Sequence, residues 1–387
     1  MQTFWQQIPR PIIGLSPMDG VTDASFRFIA AKHGGPDVTL TEFVNIQSAI
    51  FAPDIMLKDF TYSEIERPIA AQIYGRTPEL FYKVAHIVGA LGFDGLDINM
   101  GCPAKKVAAA GCGAALIRTP DLAREIIQAA RQGIQDWANG QTLEQIGIRP
   151  SAIAAFNAAN RLRTGTDKEP VRRLIPLSIK TRIGYERNVI DEWIPTLLEE
   201  MPAAITLHGR TLQQGYKGDA DWQAIARAAE LAKGSGTLIL GNGDLRDLAD
   251  AYRRIRAAQV DGVLIGRAAQ GNPWLFAGKQ QAKQALRGLG TVASQPPVCL
   301  EERFNVIGEH SRHYENIVQI RCFVGMRKHL IWYCRDFRGA AEMRTQMVRL
   351  SSADEVERCL ENYRQSHAAG SPAFGSKAIA AETAAQV

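Results

Sequence analysis

The sequence predicts an α/β fold, a (β/α)8 TIM barrel followed by a small C-terminal helical bundle. Three observations carry this. Up to about Gly271, short apolar runs recur eight times between stretches of helical periodicity, and strand–helix alternation at that count favours a closed parallel barrel over an open sheet. The runs are nearly continuous in apolar character, as in strands buried on both faces. Each also ends in polar or small residues, and a barrel builds its active site at the C-terminal ends of its strands.

Taken in order, each run delivers a residue to that end. Ile12 to Met18 brings Met18 and Asp19, Val38 to Glu42 brings Glu42, and Ile69 to Gln72 brings Gln72. Gly95 to Asn99 ends in Asn99 with Cys102 beyond it; Leu177 to Lys180 brings Lys180 and Arg182; Ala204 to His208 brings His208 and Arg210. Thr237 to Asn242 and Val260 to Gly266 supply Asn242 with Asp244 and Gly266 with Arg267. Any one of these could be a satisfied polar group or a helix cap. As a set they describe a pocket holding cations, an imidazole, amides and a thiol.

Two regions suggest the chemistry. Gly241-Asn242-Gly243-Asp244 and Gly266-Arg267-Ala268 follow the seventh and eighth strands, where barrels often build a phosphate site from loop amides and a short helix N-terminus. In Asp97-Ile98-Asn99-Met100-Gly101-Cys102-Pro103-Ala104-Lys105-Lys106, a cysteine stands in a stiff turn, since proline fixes φ and glycine permits tight geometry. Alone, Cys102 could be a buried small hydrophobe, a metal ligand, a nucleophile or a proton donor.

The ordered motifs resemble the tRNA-dihydrouridine synthases, flavoenzymes that reduce uridine in transfer RNA. Ser16-Pro17-Met18-Asp19-Gly20-Val21-Thr22-Asp23, Ala71-Gln72-Ile73-Tyr74-Gly75, the Asp97 to Val107 stretch, Ser178 to Gly184, Leu207 to Thr211, Gly241 to Asp244 and Ile265 to Trp274 occur in the family's order. The Gln270-Gly271 and Pro273-Trp274 pairs are most similar to the bacterial B-type branch. The resemblance implies FMN, with Pro17, Met18, Asp19 and Gln72 near the isoalloxazine, and Lys180 and His208 at its pyrimidine side. Asn242, Gly243, Asp244, Gly266 and Arg267 are then expected around its phosphate. It also implies Cys102 as the proton donor, NADPH as reductant, and tRNA, in a D-loop position, as substrate. A thiol with a pKa near about 8.5 stays protonated at neutral pH unless neighbouring cations, Lys105 and Lys106 among them, depress it. Asn99 is the candidate for the uracil edge, and Arg182, Arg210 and Arg327 for other substrate contacts.

Six cysteines, at 102, 112, 299, 322, 334 and 359, include no CxxC pair, so no metal site is expected. Cys112, in a glycine-rich stretch close to Cys102, is read as packing. The barrel is expected over 1–285, with an insertion over about 135–173 that contains Trp137 and Arg172-Arg173. That insertion should lie on the face opposite the active site. Gly288, Gly290 and Ser294 to Pro297 interrupt the pattern, and helices follow at Glu301–Tyr314, Ile320–Tyr333, Ala340–Leu350 and Asp354–Tyr363. This 296–365 segment concentrates Arg321, Arg327, Lys328, His329, Arg335, Arg338, Arg344 and Arg349 among Trp332, Tyr333 and Phe337, a candidate RNA surface. Residues 367–387, rich in alanine, serine and glycine, read as a disordered tail.

Formal net charge is only +5, so nucleic-acid binding rests on a local patch. No apolar run has membrane-spanning length and Met1 to Arg10 lacks a signal-peptide pattern, so a cytoplasmic monomer with no membrane partner is expected. Two other functions compete with the leading one. A small-molecule flavin reductase of the dihydroorotate or ene-reductase type would need no basic appendage. A catalytically inactive tRNA-binding protein would be favoured by loss of Cys102, Lys180 or His208, and all three are present.

Overall fold

The computed structural model describes residues 3–292, 294–317 and 323–368. Eight parallel strands form the barrel: β1 (Ile12–Leu15), β2 (Thr39–Leu40), β3 (Ile69–Tyr74), β4 (Gly95–Met100), β5 (Leu177–Arg182), β6 (Ala204–His208), β7 (Leu238–Asn242) and β8 (Gly262–Ile265). Pairing runs from β2 through β3 to β8 and on to β1. The ring closes where Leu15 N donates to Val38 O (3.0 Å) and Asp37 N to Ile13 O (2.9 Å). All eight expected strands are present. β2 is the shortest, because Thr41 Oγ1 takes over as acceptor for Gln72 N (2.9 Å) and ends the regular ladder. Val44–Asn45, a short segment not anticipated, pairs with Ile73 and Tyr74.

Alternate strand residues serve two cores, as the pleat requires. Ile13, Leu15, Ile73, Ile98, Ile179, Ile205, Ile239, Val263 and Ile265 face the surrounding helices. Ile12, Val38, Leu40, Ala70, Ala204, Leu238, Leu240 and Leu264 pack with Trp5 in a separate cluster, which plugs the lower barrel. Moving up the inward-facing positions, that apolar layer gives way to Gln72, Asp97, Asn99, Ser178, Lys180, His208 and Asn242. Polar chemistry is thereby confined to the C-terminal end. Three helices that follow strands begin with an aspartate cap: Asp23, Asp221 and Asp247 accept from the amides of Phe26, Ala224 and Asp250 at 2.7–2.9 Å, as the exposed first-turn amides demand.

The insertion forms a helix at Pro150–Thr164. Asn160 Nδ2 donates to Ala90 O (2.7 Å), Arg163 to Leu91 O (3.1 Å), and Arg173 pairs with Asp94 (2.6 Å). These anchors precede β4, so the segment attaches at the N-terminal ends of the strands. Arg172 lies 3.9 Å over the Trp137 ring.

Beyond the barrel lie helices at Leu300–Ile317, Arg327–Tyr333, Ala340–Met347 and Ala353–Ala368, with a 3₁₀ turn at Phe323–Met326. Residues 318–322, which include Arg321 and Cys322, and the expected tail after Ala368 lie outside the described residues; His367 and Ala368 continue the last helix. The outer helices share one apolar cluster with Ile29 and Trp274 of the barrel. Polar contacts join the same surfaces: His329 Nε2 lies 3.1 Å from Asp23 Oδ2, Ser25 Oγ donates to His310 O (3.4 Å), and Lys328 Nζ donates to Gly20 O. Among the described residues no helix is long and apolar enough to cross a membrane.

Candidate active site

The polar upper layer opens into a cavity of about 1260 Å3 at the C-terminal ends of the strands. Its walls include Pro17, Met18, Asp19, Asn99, Cys102, Lys180, Arg182, His208, Asn242, Gly243, Asp244, Gly266 and Arg267. Gln72, Arg210 and Arg327 do not line it. Gln72 is fully buried beneath Asn99, Arg210 is buried behind Asp244, and Arg327 donates to the carbonyls of Leu350 (2.8 Å) and Arg349 (3.2 Å) in the outer helices. Sequence reasoning missed Ser16, Phe43, Tyr216, Asp219, Arg246, Arg254 and Gln270, which also contribute to the walls.

A continuous hydrogen-bond chain positions Cys102. Asp97 accepts from Ser178 Oγ (2.6 Å) and Gln72 Nε2 (2.7 Å); Gln72 Oε1 accepts from Asn99 Nδ2 (2.9 Å). Asn99 Oδ1 then accepts from the amides of Gly101 (3.1 Å) and Cys102 (2.8 Å). The Asn99 carboxamide is therefore largely committed to shaping the loop. From the other side, Arg182 Nε donates to Gly101 O (2.7 Å) and its Nη1 to Thr211 O (3.1 Å), which makes Arg182 a buried strut between two loops. Gly113 has φ +61°, and a Cβ there would stand 3.1 Å from Cys102 Cβ; glycine lets this turn close over the cysteine. Cys112 is buried and faces its own loop, 3.6 Å from Ala110 O.

Electrostatics distinguish the titratable groups. Burial pushes the Cys102 thiol up, reinforced by Asp19, and outweighs the opposing Ala104 amide, Arg182 and Lys180. Lys105 and Lys106 are not among the influences that lower it, so the thiol holds its proton at neutral pH. Burial, with help from Arg182, lowers Lys180 to about 8; among the described residues it makes no ion pair. His208 falls to about 2, first through burial and then through Lys180, Arg182, Arg210 and Arg267. It is neutral, and Arg182 Nη1 lies 3.5 Å from its Nδ1. A guanidinium only donates, so Nδ1 accepts and the proton sits on Nε2. Burial raises the Asp97 carboxyl to about 6, against the lowering pull of its two donors, Ser178 and Gln72, and of Lys180.

At the β7–β8 side, Asp244 adopts φ +52° and holds two cations. Its Oδ2 accepts from Arg210 Nη2 (2.6 Å) and the Ala220 amide (2.8 Å), and its Oδ1 from Arg267 Nη2 (2.8 Å). Gly243, at φ +120°, could carry a Cβ only at 2.7 Å from Ala220 Cβ; at Gly266 a Cβ would meet Met18 Sδ at 3.1 Å. Both positions present bare backbone to the cavity beside the half-exposed Arg267. Asn242 Nδ2 donates to Leu264 O (2.7 Å), which ties the two glycine turns together.

The family model for dihydrouridine synthase (Dus) matches residues 14–168 and 166–369. A Bacillus subtilis protein named "Probable tRNA-dihydrouridine synthase 2" is 32% identical over 376 residues, 95% of this chain and 99% of that protein. A Staphylococcus aureus "Probable tRNA-dihydrouridine synthase" is 30% identical over 367 residues, 94% of this chain and 96% of its own length. With its motifs spread along the barrel in matching order and both alignments nearly end to end, the chain belongs to the dihydrouridine synthase family.

Proposed function

We propose that the protein is an FMN-dependent tRNA-dihydrouridine synthase that reduces the C5=C6 bond of a D-loop uridine, with NADPH as the source of reducing equivalents. The observation that carries this is the placement of one buried, protonated thiol, Cys102, in the wall of a cavity that also contains Lys180, a neutral His208 and a glycine-lined arginine pocket.

The residues fit FMN. Bare backbone at Gly243 and Gly266, with Arg267 beside it, suits a phosphate monoester, while Lys180 and His208 Nε2–H offer a cation and a donor for a pyrimidine edge that gains negative charge on reduction. Pro17, Met18 and Asp19 would border the ring system, and Asn242 and Asp244 would hold the phosphate loops in place. Gln72 supports this site from below, through Asn99. When bound, FMN supplies the hydride that adds to uracil C6.

Cys102 completes the reduction. Its Sγ–H gives a proton to C5, and the thiolate that remains regains a proton from solvent. Burial keeps the acid form available, and Asn99 with Arg182 keeps the loop still while the proton moves. A uracil must leave its stack to enter the cavity, and phosphate contacts hold the surrounding RNA without reading its sequence. Arg335, Arg338 and Arg349 are exposed in the turns that connect the outer helices and suit that task better than Arg327, Arg182 and Arg210, whose guanidinium groups engage backbone carbonyls.

Nucleoside mass spectrometry with position mapping, on tRNA from cells with and without the gene, tests the proposal. One dihydrouridine should disappear, return with the intact gene, and stay absent with Cys102→Ala, whose purified protein should remain yellow. Survival of every dihydrouridine where no related enzyme substitutes would reject it. A colourless Cys102→Ala protein would make the thiol structural.

A further inference from the structure

Away from the cavity, the contact between barrel and outer helices buries an unusual set of side chains. Asp23 caps the helix Ala24–His33, His310 lies within Leu300–Ile317, and His329 within Arg327–Tyr333. All three are buried, the two histidines almost completely (0% and 1% exposed). One nitrogen on each ring has an oriented partner: His310 Nδ1 lies 3.1 Å from Tyr333 Oη, and His329 Nε2 lies 3.1 Å from Asp23 Oδ2. The other nitrogen on each, His310 Nε2 and His329 Nδ1, has no hydrogen-bond partner. The rings stand close, with centroids 5.0 Å apart.

Buried polar atoms are ordinarily satisfied, and two buried imidazoles, each with one unpartnered nitrogen, stand beside one carboxylate as a recognisable donor set. We propose that Asp23, His310 and His329 bind a divalent transition-metal ion, with zinc the best match, which ties the outer helices to the first helix of the barrel. Two imidazoles and a carboxylate suit zinc. One donor atom from each residue already lies within 4.8 Å of the other two. Bonds of about 2.0–2.2 Å in tetrahedral geometry bring ligands to roughly 3.4 Å apart, so side-chain rotations on the order of 1 Å complete the site. One outer partner is also in place: Tyr333 Oη lies against His310 Nδ1 and leaves Nε2 for the ion, as ligating histidines are characteristically held. The Asp23 carboxylate divides its oxygens, with Oδ1 accepting from Phe26 N (2.9 Å) and Oδ2 facing the His329 ring. The site is distinct from the cavity and takes no part in the reduction proposed above.

The test uses the full-length, flavin-loaded protein after dialysis against a chelator. Titration with Zn2+ by calorimetry should give one equivalent bound per chain and a raised unfolding temperature. Co2+ should bind with the same stoichiometry and give the visible difference bands of a nitrogen–oxygen site, without thiolate charge transfer. His310→Asn and His329→Gln should abolish that equivalent. Tyr333→Phe, which keeps every ligand and removes only the hydroxyl facing His310, should weaken binding about 10- to 100-fold; it decides the matter if the histidine variants do not fold. Absence of saturable binding by folded wild-type protein, thiolate charge transfer in the Co2+ form, or binding unchanged by Tyr333→Phe would each overturn the proposal.

Discussion

Asn99→Ala separates the shaping of the thiol loop from the thiol itself. The substitution deletes three hydrogen bonds at once: those from the Gly101 and Cys102 amides to Oδ1, and the one from Nδ2 to Gln72 Oε1. All the groups involved are buried, and an abandoned buried polar group costs about 1–3 kcal/mol. Because the loop borders the cavity and water can reach part of it, a net loss of about 2–4 kcal/mol is expected. The larger effect is catalytic. A reacting group displaced by about 1 Å costs roughly 100-fold in rate, and with both amides released the Cys102 turn is held from other elements, by Arg182 Nε on Gly101 O (2.7 Å) and the longer Ala114 N contact to Cys102 O (3.4 Å). Urea unfolding and single-turnover dihydrouridine formation should be measured together, with Asn99→Asp as companion. The aspartate keeps both acceptor contacts and loses only the donor to Gln72, so it should recover much of the stability and more of the rate than alanine does. Wild-type turnover in Asn99→Ala would refute the view that this carboxamide positions the acid.

Turnover should be level through neutral pH and decline on the alkaline side. The Cys102 acid is lost only above the ordinary thiol range, and the Lys180 ammonium, lowered to about 8, discharges first; a Lys180→Arg variant should shift the onset of the decline upward in a pH–rate profile, and an unmoved onset would exclude Lys180. Arg267→Ala removes a cation from the phosphate pocket, and a charged hydrogen bond of about 1.5–3 kcal/mol translates into FMN held roughly 10- to 100-fold more weakly, measured by fluorescence of released flavin. Arg27 and Glu66 form a fully buried pair at 2.7 Å. Arg27→Met strands the carboxylate and should cost about 3–5 kcal/mol in denaturant unfolding, much of it restored by adding Glu66→Leu.

Strand positions were legible because both faces of each strand are apolar, and the same property hid which face looked inward. The terminal polar residue of a run was therefore assigned to the pocket. That placed Asn99, Lys180, His208 and Asn242 on the cavity wall, but Gln72 sits one level too low and works through Asn99. Asp97 stands within a recognisable motif, yet its inward orientation follows only from the period of two that it shares with Asn99, opposite Ser178 and Lys180. Arg182 and Arg210 stand as candidates for substrate contacts in the sequence because a sequence displays charge and not the carbonyl that will meet it. Tyr216 and Asp219 come from the loop after β6, Arg246 from the loop after β7 and Arg254 from the helix Leu248–Ala258 that follows it, and their reach depends on tertiary folding rather than on local pattern. Cysteine spacing guided the expectation about metals, and it is blind to an aspartate and two histidines brought together from distant segments.

The turn from Met18 to Asp23 leaves β1 as one wall of the cavity, and two consecutive residues of an outer helix grip it: Lys328 at Gly20 O and His329 at Asp23. Any rotation of that helix drags the turn, and with it Met18 and Asp19. Under the proposed function, the outer helices that would carry a large substrate and the pocket that would receive a single base share one mechanical coordinate. A misaligned partner on the outside would deform the place where chemistry occurs, so selection among substrates can operate through leverage at a distance from the reacting base.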